Sequence, residues 1–161
     1  MVAIIFGVSG VGKTTVGKLL ARELGWKFYE ADDFHPPANI EKMKSGNPLN
    51  DEDRKPWLTS LRELIKRCLD SRENAVLACS ALKRMYRDYL RVNDQVTFIF
   101  LHGDRSQVSK QLQRRRRHFM NPQLLESQFA DLEEPQPDEG AITIELGRAP
   151  EQLVDEIKRN L

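Results

Sequence analysis

Val2-Ala3-Ile4-Ile5-Phe6, an apolar run rich in β-branched side chains, leads without a break into Gly7-Val8-Ser9-Gly10-Val11-Gly12-Lys13-Thr14-Thr15. The second part has the spacing Gly-x-x-x-x-Gly-Lys-Thr, and the first supplies the strand that such a loop must follow. Glycines permit the tight turn that aims successive backbone N–H groups at one point, in front of the positive end of the next helix. Polyphosphate is the guest that this arrangement suits. Around it the loop should place the backbones of Gly7, Ser9, Gly10, Val11 and Gly12, Lys13 as a point charge on the β- and γ-phosphates, the Thr14 hydroxyl as a ligand of Mg²⁺, and the Thr15 backbone. By chance the pattern would arise in roughly one chain of this length in a hundred or fewer. The loop identifies a phosphate donor and leaves the reaction open, because unrelated functions share it.

Working outward, Val16, Leu19, Leu20 and Leu24 recur at helical spacing and Gly25 supplies a helix stop. Residues 26–30 read as a short strand that delivers Asp32 and Asp33 to its C-terminal edge, where open parallel sheets bind ligands. One of the two acids is expected to serve the turn. From Pro36 to Trp57 the chain is polar, with a short helix predicted around 39–44, so a substrate-covering insert is expected at about 33–57. Arg54 within it reads either as a surface ion pair or as an anion clamp.

Trp57, Leu58, Leu61, Leu64, Ile65, Cys68 and Leu69 form the stripe of a core-facing helix. The runs 75–79 and 96–101 are apolar throughout, as strands covered on both faces of a parallel sheet must be. Lys83 and Arg87, at i and i+4, are expected to share a helical face at the functional edge after the first of these runs. Residues 142–146 supply a fifth strand, and Pro150 opens a last helix. This alternation predicts an α/β, three-layer fold around a central five-stranded parallel sheet, with a single domain over 1–161.

Charged residues are 30% of the chain yet nearly cancel, leaving a formal net charge of +1, which argues against a nucleic-acid or anionic-membrane surface. No apolar run approaches the ~20 residues of a membrane span, and the N-terminus enters a strand instead of a signal peptide, so a cytoplasmic protein is expected. Cys68 and Cys79 sit in apolar patterns and read as reduced core residues. Arg114-Arg115-Arg116-Arg117 precedes His118-Phe119-Met120 and a helix opened by Pro122. In a phosphate-loop protein this is best read as an arginine-rich lid, at about 114–130, closing over ATP. A nucleotide-gated nucleic-acid binder is the remote alternative for the same run.

Several strings are more discriminating than the loop. Residues 32–43 (DDFHPPANIEKM), 48–58 (PLNDEDRKPWL), 78–84 (ACSALKR) with Tyr86-Arg87-Asp88, and His118-Phe119-Met120 with Ser127-Gln128-Phe129 resemble the signature stretches of the gluconokinases. The resemblance spans nearly the whole chain. It implies an adenylate/shikimate-kinase-like fold that transfers the γ-phosphate of ATP to the 6-hydroxyl of D-gluconate with Mg²⁺, as a homodimer. A related small-molecule kinase with another acceptor is the nearest alternative. The implied division of labour makes Asp32 the acceptor of the hydroxyl proton. Lys13, Thr14-bound Mg²⁺ and Arg115, the best match to the family's lid arginine, stabilise the transferring group. His35, Arg54, Lys83, Arg87 and His118 join Asp32 on the substrate. Cations for a carboxylate and acceptors for a row of hydroxyls are the residue types that gluconate requires.

Overall fold

Five parallel strands, β1 (Val2–Phe6), β2 (Lys27–Glu30), β3 (Ala75–Ala78), β4 (Val96–His102) and β5 (Ile142–Glu145), lie in the order β2-β3-β1-β4-β5 in the computed structural model. The structure describes residues 1–114 and 122–161. Between the strands run α1 (Lys13–Leu24), α2 (Pro37–Lys44), α3 (Asp51–Asp70), α4 (Arg84–Leu90), α5 (Arg105–Arg114), α6 (Pro122–Asp131) and α7 (Pro150–Asn160). The expected five-stranded parallel α/β sheet is therefore present.

The apolar runs are explained by the two faces. In register, Ile4 lies between Leu77 and Phe98, and these point to one face, where Trp57, Leu61 and Ile65 of α3 and Tyr86 and Leu90 of α4 cover them. Ala3, Ile5, Val76 and Ile99 point to the other, under Val16 and Leu20 of α1 and Leu153, Val154 and Ile157 of α7. With a period of two and both faces covered, neither parity of β1 is free to be polar.

The insert between β2 and β3 holds α2 and runs into α3. α3 begins at Asp51, capped by Asn50, whose side chain accepts from the Asp53 N–H at 2.8 Å while Asp53 Oδ2 accepts from the Asn50 N–H at 3.0 Å. Pro56 therefore lies inside the helix. Near a helix start a proline forfeits one backbone bond, and the reciprocal cap restores the first turn. Among the described residues, no helix is long and apolar enough to cross a membrane.

Trp57 fixes where the chain after β2 lands, since its Nε1–H donates to the carbonyl of Ala31 at 2.8 Å, at the start of the 3₁₀ turn Ala31–Phe34. Its indole is 1% exposed. Replacement by Phe keeps most of the packing and orphans that carbonyl. Trp57→Phe should cost about 1–3 kcal/mol. Urea denaturation checks this: the midpoint should fall with the slope unchanged.

Candidate active site

The phosphate loop leaves β1 with Gly10 and Gly12 at φ 90° and 97°, a region that side chains with a Cβ avoid. Lys13 Nζ arches back over the turn, donating to the carbonyls of Gly7 and Val8, each at 3.0 Å. No side chain caps α1, so its first turn faces the loop with its positive end. The Ser9 N–H donates to Gln128 Oε1 of α6 at 2.6 Å, an acceptor placed where the loop would present its donors to a phosphate oxygen.

Beside the loop, Thr14 Oγ1 donates to Glu30 Oε2 at 2.5 Å. Burial pushes the Glu30 carboxyl above the usual range, and the bond from Thr14 offsets this only in part. A hydroxyl, Glu30 and the nearby Asp32 are hard oxygen donors of the kind Mg²⁺ takes alongside phosphate oxygens. They fit the ion. Among the described residues there is no group of three or more His, Cys, Asp or Glu that could hold a metal ion.

One cavity of about 110 Å³ joins this donor end to a second set of groups: Ser9 and Lys13 line it together with Asp32, His35 and Arg54. Asp32 stands on the 3₁₀ turn after β2 with its side chain 76% exposed. His35 stacks on Trp57, ring centroids 4.5 Å apart, and its Nδ1 lies 3.2 Å from Asn39 Nδ2. Asn39 is in turn held by donation to the Asp53 carbonyl at 2.8 Å. Donation from an amide requires a bare Nδ1, so the ring is neutral with its proton on Nε2, 4.0 Å from Asp32 Oδ1. Arg54 donates to the Tyr86 hydroxyl at 2.9 Å and to Asp131 Oδ2 at 3.0 Å. The Tyr86 hydroxyl also meets Asp51, which pairs with Lys83 at 2.9 Å.

Two expectations for the acceptor side change. Lys83 is the N-cap of α4, in extended backbone, so it does not share a helical face with Arg87. It reaches Asp51 instead and does not line the cavity. Arg87 is 1% exposed, and every N–H of its guanidinium is taken. Nε and Nη2 donate to Glu139, Nη1 to the carbonyls of Ala81 and Leu82, and Nη2 also to the carbonyl of Glu133. With no donor left, it is not a substrate ligand in this structure. Arg115 and His118 lie outside the described residues.

A wider groove of about 580 Å³ opens on the other flank of the loop, between Gly12 and Thr15, Gln107 and Lys110 of α5, and Gly147 and Arg148 after β5.

The family model for shikimate kinase matches residues 9–161. A gluconokinase from Gluconobacter oxydans is 44% identical over 98% of this chain and 89% of its own. The chain belongs to the gluconokinase family. Among solved structures, a gluconokinase from Sinorhizobium meliloti superposes with a TM-score of 0.87 at 41% identity, covering 96% of this chain and 87% of that one. A sugar kinase from a Janibacter species gives a TM-score of 0.92 at 44% identity, covering 98% and 92%. Membership makes this an ATP-dependent kinase acting on a hydroxyl group.

Sequence reasoning gave no role to Glu30 and Asp131, and quoted Tyr86 and Gln128 in the gluconokinase-like strings without assigning them one. Glu30 ends a strand at the ligand edge and could have been found by position. The others depend on contacts distant in sequence.

Burial lowers the pKa of His35 below its ordinary 6.5, with Asp32 opposing and Arg54 assisting. As pH falls below 6.5 the unfolded chain takes up a proton that the folded chain resists, so stability present at neutral pH is lost on acidification. His35→Gln should flatten the fall in denaturation midpoint between about pH 7 and 5. Equal slopes in both proteins would contradict a neutral buried ring.

Proposed function

We propose that this protein transfers the γ-phosphoryl group of ATP to the 6-hydroxyl of D-gluconate, giving 6-phosphogluconate and ADP. The observation that carries the reading is the single cavity in which Ser9 and Lys13 of the phosphate loop share a wall with Asp32, His35 and Arg54. Relatives that bear the gluconokinase name at 44% identity supply the acceptor.

Phosphoryl transfer asks little covalent chemistry of the protein and much positioning. The loop N–H groups and Lys13 hold the β- and γ-phosphates. Mg²⁺, reached through Thr14 with Glu30 beside it, supplies charge neutralisation on those phosphates when bound. Arg54 faces the acceptor's carboxylate. Asp32 takes the proton from the 6-hydroxyl as its oxygen bonds to phosphorus and the bond to the ADP oxygen breaks. Family resemblance assigns Arg115 to the transferring phosphoryl group and His118 to the acceptor. Cytoplasmic location and a homodimer belong to the same reading, supported by family resemblance alone.

A coupled ADP-release assay over gluconate, shikimate and nucleoside monophosphates should show turnover on gluconate only. Turnover on another acceptor and none on gluconate would overturn the assignment. Asp32→Asn should lower kcat by about 10²–10⁴. Near-normal turnover would remove Asp32 as the base. Arg54→Ala should raise the KM for gluconate with that for ATP little changed, and equal rises in both would count against the carboxylate clamp.

A further inference from the structure

Ala81 stands at φ +40°, in the left-handed region that residues with a Cβ seldom occupy, and it is fully buried. Its neighbours Ser80 and Leu82 line the acceptor cavity. The Ser80 carbonyl also accepts from the N–H of Gly7, at 3.3 Å, where the phosphate loop begins. A strained residue therefore sits at the junction of the donor and acceptor walls, and strain of this kind persists only where the surroundings enforce it.

The enforcing group is Arg87. Its Nη1 donates to the carbonyls of Ala81 and Leu82, at 3.0 Å each, and so grips both sides of the turn. Glu139 holds the opposite edge of the guanidinium at 2.7 and 3.2 Å, and the planar fork leaves no rotation by which one bond could be kept and the others lost. A third contact, from Nη2 to the Glu133 carbonyl at 2.8 Å, lies beside the 2.8 Å bond that the Glu133 N–H makes to Leu82. All of these groups lie behind the cavity wall.

We propose that Arg87, locked by Glu139, is a positioning residue: it clamps Ala81 in its left-handed turn and thereby sets Ser80 and Leu82 at the wall against which the acceptor binds. The proposal rests on the acceptor reading of this cavity given above. It predicts a coupling between two residues that do different things to the same turn. Lysine at 87 keeps the charge and cannot donate as a fork, so the clamp weakens. Glycine at 81 adopts positive φ without the steric cost and has less need of the clamp.

The test is a cycle of Arg87→Lys, Ala81→Gly and the double variant, read by steady-state kinetics. Arg87→Lys should raise the KM for gluconate about tenfold or more, as small misplacements of binding groups do, and leave the KM for ATP nearly unchanged. Ala81→Gly in the Arg87→Lys background should recover most of that loss. If Arg87 serves folding alone, Arg87→Lys will lower the melting temperature, keep the parent's KM values in the folded protein, and gain no kinetic recovery from glycine; that result overturns the proposal. Should Arg87→Lys fail to fold, Glu139→Gln carries the same arms. Hydrogen exchange of the Gly7 and Glu133 amides, which donate to the Ser80 and Leu82 carbonyls and are expected to lose protection in the clamp variants and not in the parent, tests the clamp whatever the acceptor. Unchanged protection in folded variants refutes it, and absence of gluconate turnover in the parent refutes only the acceptor.

Discussion

Every side chain of β1 is buried, and the strand has neighbours on both edges as well as helices on both faces. A strand enclosed in this way exposes polar backbone only where it ends. The loop Gly7–Gly12 is thus the one part of this segment whose N–H groups can meet a ligand, and α1 starting at Lys13 adds its positive end there. Because the sheet continues to β3 on one side and β4 on the other, this end is also the switch point at which α/β sheets open a crevice. The turns after the remaining strands reach the same edge. Asp32 follows β2, Ser80 follows β3 and Gly147 follows β5, while Gln107 stands in the first turn of α5 after β4, and each lines a cavity beside the loop.

Three cations on the acceptor side each hold a carboxylate, and their burial separates them by role. The side chains of Arg54, Lys83 and Arg87 are 11%, 23% and 1% exposed, paired with Asp131, Asp51 and Glu139. Breaking a fully buried pair leaves an uncompensated charge and costs about 3–5 kcal/mol. An exposed pair is worth about 0–1 kcal/mol. Burial pushes the Glu139 carboxyl up, but the bond from Arg87, the Gln136 N–H and the positive charges of Arg87 and Arg84 together outweigh it and hold the group below the usual range. Arg87 therefore stays with its partner. Arg54, bordering the cavity, can exchange one carboxylate for another at little net change.

The features legible in the sequence are those fixed by local pattern. Apolar runs marked the strands, the glycine spacing marked the loop, and helical periodicity marked α1, α3 and α7, because each depends on neighbours within a few residues. Lys83 and Arg87 show where such reasoning fails. Four residues apart they satisfy the helical rule, but α4 starts at Arg84, so one lies outside the helix and the other faces the core. The reason Arg87 turns inward is Glu139, more than fifty residues away, on a 3₁₀ turn that no periodicity announces. Gln128 and Asp131 were missed for a similar reason, since their partners Ser9 and Arg54 come together with them only once the sheet is built.

Helix α6 touches both halves of the site. Gln128 accepts from Ser9 of the phosphate loop, and Asp131, at i+3 on an adjacent position of the same helix, holds Arg54. The two contacts differ in what a ligand gains by replacing them. A phosphate oxygen would put a full charge where Gln128 offers a neutral amide oxygen, so the bond to Ser9 strengthens on exchange. On the proposed reading of Arg54, one carboxylate would replace another there, and the exchange would be nearly even. A neutral acceptor would have to leave Arg54 on Asp131 or leave it unpaired. The donor end thus favours binding outright, whereas the acceptor end distinguishes anionic from neutral partners without adding much affinity. What holds a polyhydroxy acid in place must then come from the hydroxyl contacts and from the fit of the wall that Ser80 and Leu82 form.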